Sequence, residues 1–277
     1  MPTLRPWAVT WTTPQVSKAA DGTSFDLTGP KDAPLVVLIH GLGLCREIWH
    51  PMLDHFSGFR VLNYDLYGHG ESGPAPGPAS LSLYARQIAD LMDKIEVQTA
   101  HIVGFSIGGM INRRFALDYP ERVRSLVILN SPHDRGPKLQ AQVEARAKTV
   151  LDQGAMATMD SALQRWFTPQ YLVVGEGPQK VIEWRGLVDP DSYAGAAWVL
   201  ANGVVELTDP ATKINAPSLV ITSENDTGST PAMSHAIAAQ ILSTKTLIIP
   251  HLQHLGLMED PLAFAQPVRE FLESQTK

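Results

Sequence analysis

Six short apolar runs recur along the chain, each closed by Gly, Pro, Asn or Asp, with helix-length segments between them. They are 35–39 (LVVLI), 60–64 (RVLNY), 101–105 (HIVGF), 125–129 (SLVIL), 218–222 (SLVIT) and 246–249 (TLII). Runs of four to six residues, apolar almost throughout, suit strands buried on both faces. The intervening segments carry helical spacing. Tyr84, Ile88, Leu91, Met92 and Ile95 form one apolar stripe, and Met110, Phe115 and Leu117 form a less regular one that Pro120 ends. Thr230-Pro231 reads as an N-cap with Pro at the first helical position, ahead of Met233, Ile237 and Ile241. Phe264, Val268, Phe271 and Leu272 mark a terminal helix. Strands alternating with helices predict an α/β fold, with a mostly parallel sheet flanked by helices.

The alternation stops between Ser131 and Pro217. That stretch is rich in Ala, Gln and Trp, reads as helical, and holds Trp166, Trp184 and Trp198. We therefore expect a first part of the core over 1–131, an inserted helical cap over 132–212, and a second part of the core over 213–277. A chain of 277 residues can bury such a core without staples. The single Cys45 excludes an intramolecular disulfide and a cysteine-based zinc site. The formal charge of −6 argues against a nucleic-acid partner, because phosphate neutralisation needs a basic face. The N-terminus MPTLRPWAVTWTTPQV lacks an apolar signal region, and no run approaches the ~20 apolar residues that span a bilayer. The expectation is a cytoplasmic protein without a membrane partner, monomeric or a homo-oligomer.

Gly104-Phe105-Ser106-Ile107-Gly108-Gly109 follows one expected strand and opens a helix. This is the G-x-S-x-G nucleophile elbow. Its serine sits on a strained strand-to-helix turn, and its glycines let neighbouring backbone come close. A serine hydroxyl is a weak nucleophile and needs a base, which in turn needs an orienting acid. Asp226 follows SLVIT and His254 follows TLII, so both fall at the carboxyl ends of parallel strands, the edge that also carries Ser106. The residues alone leave alternatives open: His251 as base, and Glu224 or Asp134 as acid. In His40-Gly41-Leu42-Gly43 the useful group is backbone. The N–H groups of Leu42 and Ile107 could together receive an oxyanion. The loop from Asp65 to Ser72 (DLYGHGES) lacks any phosphate-loop or dinucleotide pattern and reads as a structural turn, with Asp65 and Ser72 bonding backbone.

HGLG, DLYGHGES, GFSIGG, YPERVRSLVILN and HLQHLGLMEDP stand in the order and spacing of the α/β-hydrolase superfamily, which the chain resembles over nearly its whole length. The resemblance favours His254 over His251, since His254 precedes Glu259 by five residues and Pro261 by seven, as in the family pattern. It also places the acid after the penultimate strand, at Asp226. One departure is that Pro231 lies five residues after Asp226, where the family often has four. Within the superfamily the chain looks most like 3-oxoadipate enol-lactonases and related esterases. This rests on Arg165-Trp166-Phe167-Thr168-Pro169 and on Asp191-Ser192-Tyr193-Ala194, read as standing before a helix.

The resemblance implies a serine hydrolase of a small-molecule ester or lactone, through an acyl-enzyme on Ser106, with no cofactor and no metal. Hydrolysis of a C–C bond in a diketone, or ligand binding without catalysis, are the alternatives on this fold. Trp166, Phe167, Trp198 and Leu200 are the expected apolar pocket lining. Arg135 and Arg165 are candidates to meet a substrate carboxylate. Cys45 reads as structural.

Overall fold

A computed structural model describes residues 16–276. The N-terminal stretch 1–15, which carries nearly all of the run read above for a signal region, lies outside the described residues. The strands are β1 (Ser17–Lys18), β2 (Ser24–Thr28), β3 (Leu35–Ile39), β4 (Arg60–Tyr64), β5 (Ala100–Phe105), β6 (Val123–Leu129), β7 (Ser218–Ser223) and β8 (Thr244–Ile249). Among the described residues they form one eight-stranded sheet in the order β1-β2-β4-β3-β5-β6-β7-β8. From β4 to β8 every pairing is parallel, and β2 joins β4 antiparallel.

The helices are α1 (Leu81–Lys94), α2 (Ile107–Asp118), α3 (Gly136–Gln153), α4 (Met159–Trp166), α5 (Pro169–Val174), α6 (Gly177–Gly186), α7 (Pro190–Asn202), α8 (Pro231–Ala239), α9 (Gly256–Glu259) and α10 (Pro261–Ser274). Alternation along β3 divides the core. Leu35, Val37 and Ile39 pack with Tyr84 and Ile88 of α1 and with Met110 and Phe115 of α2. Val36 and Leu38 point the other way, against Trp49 and against Phe264 and Val268 of α10. Both faces of β3 are therefore covered, which is why its five residues are uniformly apolar.

The expected strands are present, some extended by one or two residues. Both antiparallel strands at the edge went unread. β2 is SFDLT, and its Asp26 is buried against Arg46 rather than against apolar neighbours, so the strand lacks a continuous apolar run. Thr230 caps α8 by accepting from Met233 N–H at 3.3 Å. The turn after β4 is held as expected. Asp65 accepts from the backbone N–H groups of Arg46 (2.7 Å) and Glu71 (3.0 Å), and Ser72 Oγ accepts from Ser24 N–H at 2.9 Å.

Between β6 and β7 the chain is helical from α3 through α7, ending in a 3-10 turn, Gly203–Leu207. One detail corrects the sequence reading. α7 starts at Pro190, so Asp191–Ala194 lies in its first turns and not ahead of it. Asp189 is the cap, accepting from Ser192 N–H at 2.9 Å, and Pro190 supplies the preset first helical residue.

Candidate active site

Ser106 directly follows β5 and stands at the N-cap of α2, with φ 58° and ψ −114°. A non-glycine residue held in this region is strained, and the close packing around it maintains the strain. A Cβ on Gly104 would collide with Gly108 O, and one on Gly108 would collide with Ile39 O. Only glycine at both positions lets the turn close this tightly.

Asp226 follows β7 and His254 follows β8. The three side chains meet at the carboxyl edge of the sheet. Ser106 Oγ donates to His254 Nε2 at 3.1 Å, and His254 Nδ1 donates to Asp226 Oδ2 at 2.6 Å. Asp226 is almost wholly buried. Its Oδ1 accepts from the N–H groups of Gly228 (2.8 Å) and Ser229 (2.9 Å), and its Oδ2 also accepts from Asn130 Nδ2 at 2.9 Å. Burial pushes this carboxyl toward protonation. The adjacent His254 and the donated hydrogen bonds outweigh burial and hold it below the ordinary carboxylate range. The arrangement can pass a proton from a hydroxyl to an imidazole whose orientation an ionised acid fixes.

The alternatives left open by the sequence stand elsewhere. His251 is exposed, and its own backbone N–H donates to Glu224 Oε2 at 2.9 Å, so those two candidates engage each other. Asp134 is exposed and accepts from Gly136 N–H. Asn130 was not singled out from the sequence. The available signal was its position ending the SLVILN run, at the same sheet edge as the other loops.

Leu42 lies in the turn after β3 and borders the cavity beside Ser106. No described residue accepts from its N–H. Ile107 opens α2, where the first N–H groups have no partner within the helix.

The cavity over Ser106 measures about 110 Å³. Its far wall comes from the helical segment. α3 presents Val143, Arg146, Ala147 and Val150; α4 presents Ala162, Arg165 and Trp166; α7 presents Tyr193, Ala197 and Leu200. Each set follows the three- and four-residue spacing of one helix face. Trp166 lies with its ring 6.0 Å from that of His254. Two of the expected lining residues are elsewhere. Trp198 follows Ala197, so the helical twist turns it about 100° from the cavity-facing stripe, and it is 53% exposed. Phe167 follows the last residue of α4, where the backbone turns extended. Its side chain enters the core and stacks on Tyr171 at 5.4 Å.

Arg135 and Arg165 both border the cavity, joined by Arg146 and Arg185, which the sequence reading did not propose. For Arg146 a signal existed: it interrupts an otherwise apolar i, i+3, i+4, i+7 stripe.

Among the described residues no cluster of three His, Cys, Asp or Glu could hold a metal ion, and no helix is long and apolar enough to cross a membrane.

Comparison with known proteins bears on the fold. Residues 34–171 match the family model described as alpha/beta hydrolase fold. The chain is 27% identical over 240 residues to (E)-2-((N-methylformamido)methylene)succinate hydrolase of Acinetobacter baylyi, covering 86% of this chain and 90% of that protein. It is 27% identical over 248 residues to 3-oxoadipate enol-lactonase 2 of the same organism, covering 88% and 91%. Among solved structures, a hydrolase from Pseudomonas aeruginosa PA01 superposes with a TM-score of 0.81 at 30% identity, over 94% of this chain and 98% of that one. The enol-lactonase from Burkholderia xenovorans LB400 superposes with a TM-score of 0.80 at 27% identity, over 93% and 100%. With the parallel sheet, the strained serine turn and these relatives in agreement, the chain belongs to the α/β-hydrolase fold family and is a hydrolase.

Proposed function

We propose that this hydrolase cleaves a carboxylic ester or lactone of a small molecule through an acyl-enzyme on Ser106. The observation that carries the reading is the hydrogen-bonded chain Ser106–His254–Asp226, 3.1 and 2.6 Å long, opening on a cavity. Ser106 Oγ attacks the carbonyl carbon as His254 takes its proton, and Asp226 holds the imidazole tautomer and stabilises the imidazolium. The N–H groups of Leu42 and Ile107 receive the oxyanion; losing one such donor typically costs about 10²–10³ in rate. His254 then protonates the departing oxygen and activates the water that releases the acyl group. In a lactone that oxygen stays tethered to the acyl chain until deacylation.

The helical segment over 132–212 acts as the cap that selects the acyl group, with Trp166 and Leu200 as its apolar contacts. Relatives named enol-lactonase support a lactone among the substrates.

The test is Ser106→Ala, assayed on p-nitrophenyl butyrate and exposed to a fluorophosphonate probe. We expect turnover to fall by about 10⁴-fold or more, and labelling at residue 106 to disappear. Unchanged turnover in the variant would overturn the acyl-enzyme.

A further inference from the structure

Arg185 of α6 is a guanidinium without a counter-ion. It is 2% exposed and borders the cavity over Ser106. It makes no salt bridge to any described residue, and its Nε is buried with no hydrogen-bond partner. What holds it is aromatic. Its guanidinium carbon lies 4.7 Å from the ring centroid of Trp166 and 5.6 Å from that of Tyr193. Because rings and not hydrogen bonds hold it, its terminal N–H donors stay available to a planar acceptor.

Two more cations share the cavity. Arg146, on the apolar stripe of α3, has no hydrogen bond or ion pair among the described residues. Arg165, on α4, spends only its Nε, on Ser161 O at 3.1 Å. Arg135 differs, since its donors are committed to the carbonyls of Leu200 (2.9 Å) and Ala201 (3.2 Å). The carboxylate bordering the same cavity is Asp226, and its oxygens are already engaged by His254, Asn130, Gly228 and Ser229. Burial, then repulsion by Arg146 and Arg185, lowers Arg165 to about 10, against a smaller opposing pull from Asp226. A guanidinium stays charged at neutral pH.

Taking a cation out of water is costly unless an anion meets it. Here three cations border one cavity, contributed by three different helices, and no carboxylate among the described residues forms an ion pair with any of them. A single carboxylate brings one negative charge against three positive ones, and even shared between two guanidinium groups it would leave the third unpaired. A phosphate would be expected against clustered backbone N–H donors as well as cations, whereas these side chains come from separate helices and suit two planar anions set apart.

We propose that the substrate carries two carboxylates besides the scissile bond, one received edge-on by Arg185 and the other by Arg146 and Arg165. This rests on the acyl-enzyme reading above, and the test separates the two.

Three p-nitrophenyl esters probe it in activity: the butyrate (no free carboxylate), the glutarate monoester (one) and the tricarballylate monoester (two). In the wild type, kcat/KM should rise with each carboxylate, reaching at least about 10²-fold from butyrate to tricarballylate. Arg185→Met and Arg146→Met should each reduce the tricarballylate-to-butyrate ratio by about 10-fold or more. Arg146 is only half-buried on a helix surface, so that variant remains informative if Arg185→Met does not fold. Binding of tricarballylate, butyrate (a monocarboxylate) and inorganic phosphate to Ser106→Ala, measured by calorimetry, supplies a readout independent of turnover. Tricarballylate should bind tightest and should weaken when Arg146→Met is added. A wild type that prefers the butyrate ester, or phosphate or free butyrate binding as tightly as tricarballylate, would overturn the dicarboxylate assignment. Persistent ester turnover by Ser106→Ala would instead overturn the acyl-enzyme and leave the binding result to stand by itself.

Discussion

Arg46 and Arg185 are both buried arginines, yet they live in opposite electrostatic surroundings. Arg46, just after the turn that follows β3, meets three carboxylates: Asp26 on β2, Asp65 after β4, and Glu71 in the loop beyond. Burial works against its charge, but those partners hold its pKa above the usual arginine value. Arg185 has no carboxylate partner among the described residues, and burial lowers its pKa. The Arg46 cluster closes on itself and ties the antiparallel edge to the parallel core. The Arg185 wall is closed only when something anionic enters. Burial of a cation by itself does not separate scaffold from site; whether the chain supplies the counter-ion does.

The contrast can be broken most sharply at Arg46. Arg46→Met leaves two buried carboxylates without their cation, and should cost about 3–5 kcal/mol in chemical unfolding. The preference among esters should stay as in the wild type. A smaller loss would mean that the cluster is not structural.

Two histidines between the regions give a pH test of comparable size. Burial above all lowers His40 to about 4 and His69 to about 3, with the nearby charge of Arg46 contributing to the first and that of Arg185 to the second. Both are neutral in the folded chain and ordinary, near 6.5, when unfolded. Their contribution is fully present above pH 6.5 and is lost as pH falls toward 4 and then 3, of order 3 kcal/mol for each. Urea midpoints between pH 7 and 4 should therefore decline from about pH 6.5 downward, and a flat profile would refute the neutral burial.

The smallest effect should belong to Arg185. Its replacement by Met removes an uncompensated buried charge at the expense of two cation–π contacts. Stability should stay within about 1 kcal/mol or rise, even as discrimination between anionic and neutral esters falls. A loss as large as that of Arg46→Met would show that Arg185 is scaffold after all.

Much of this molecule is legible in the chain. The parallel strands are apolar on both faces, so each announces itself locally. The elbow does so as well, because Gly104 and Gly108 are required by contacts within a few residues and with the adjacent strand β3. Ser106, Asp226 and His254 come together because each directly follows a parallel strand, and a parallel sheet delivers all such positions to one edge. β2 was not legible, because its buried Asp26 is satisfied by an arginine twenty residues away.

The cavity wall is where the sequence by itself stopped. A helical pattern says that residues 190–202 coil, but which side faces Ser106 depends on how α7 packs. One step of helical twist separates Ala197 at the cavity from Trp198 in solvent. The same is true of charge. The net −6 of the chain hides a cavity with unpaired cations, because Arg146, Arg165 and Arg185 lie on three helices that only packing brings together. Local spacing determined the elements and the edge at which they end. Tertiary packing decided which faces look inward, and with that what the site can bind.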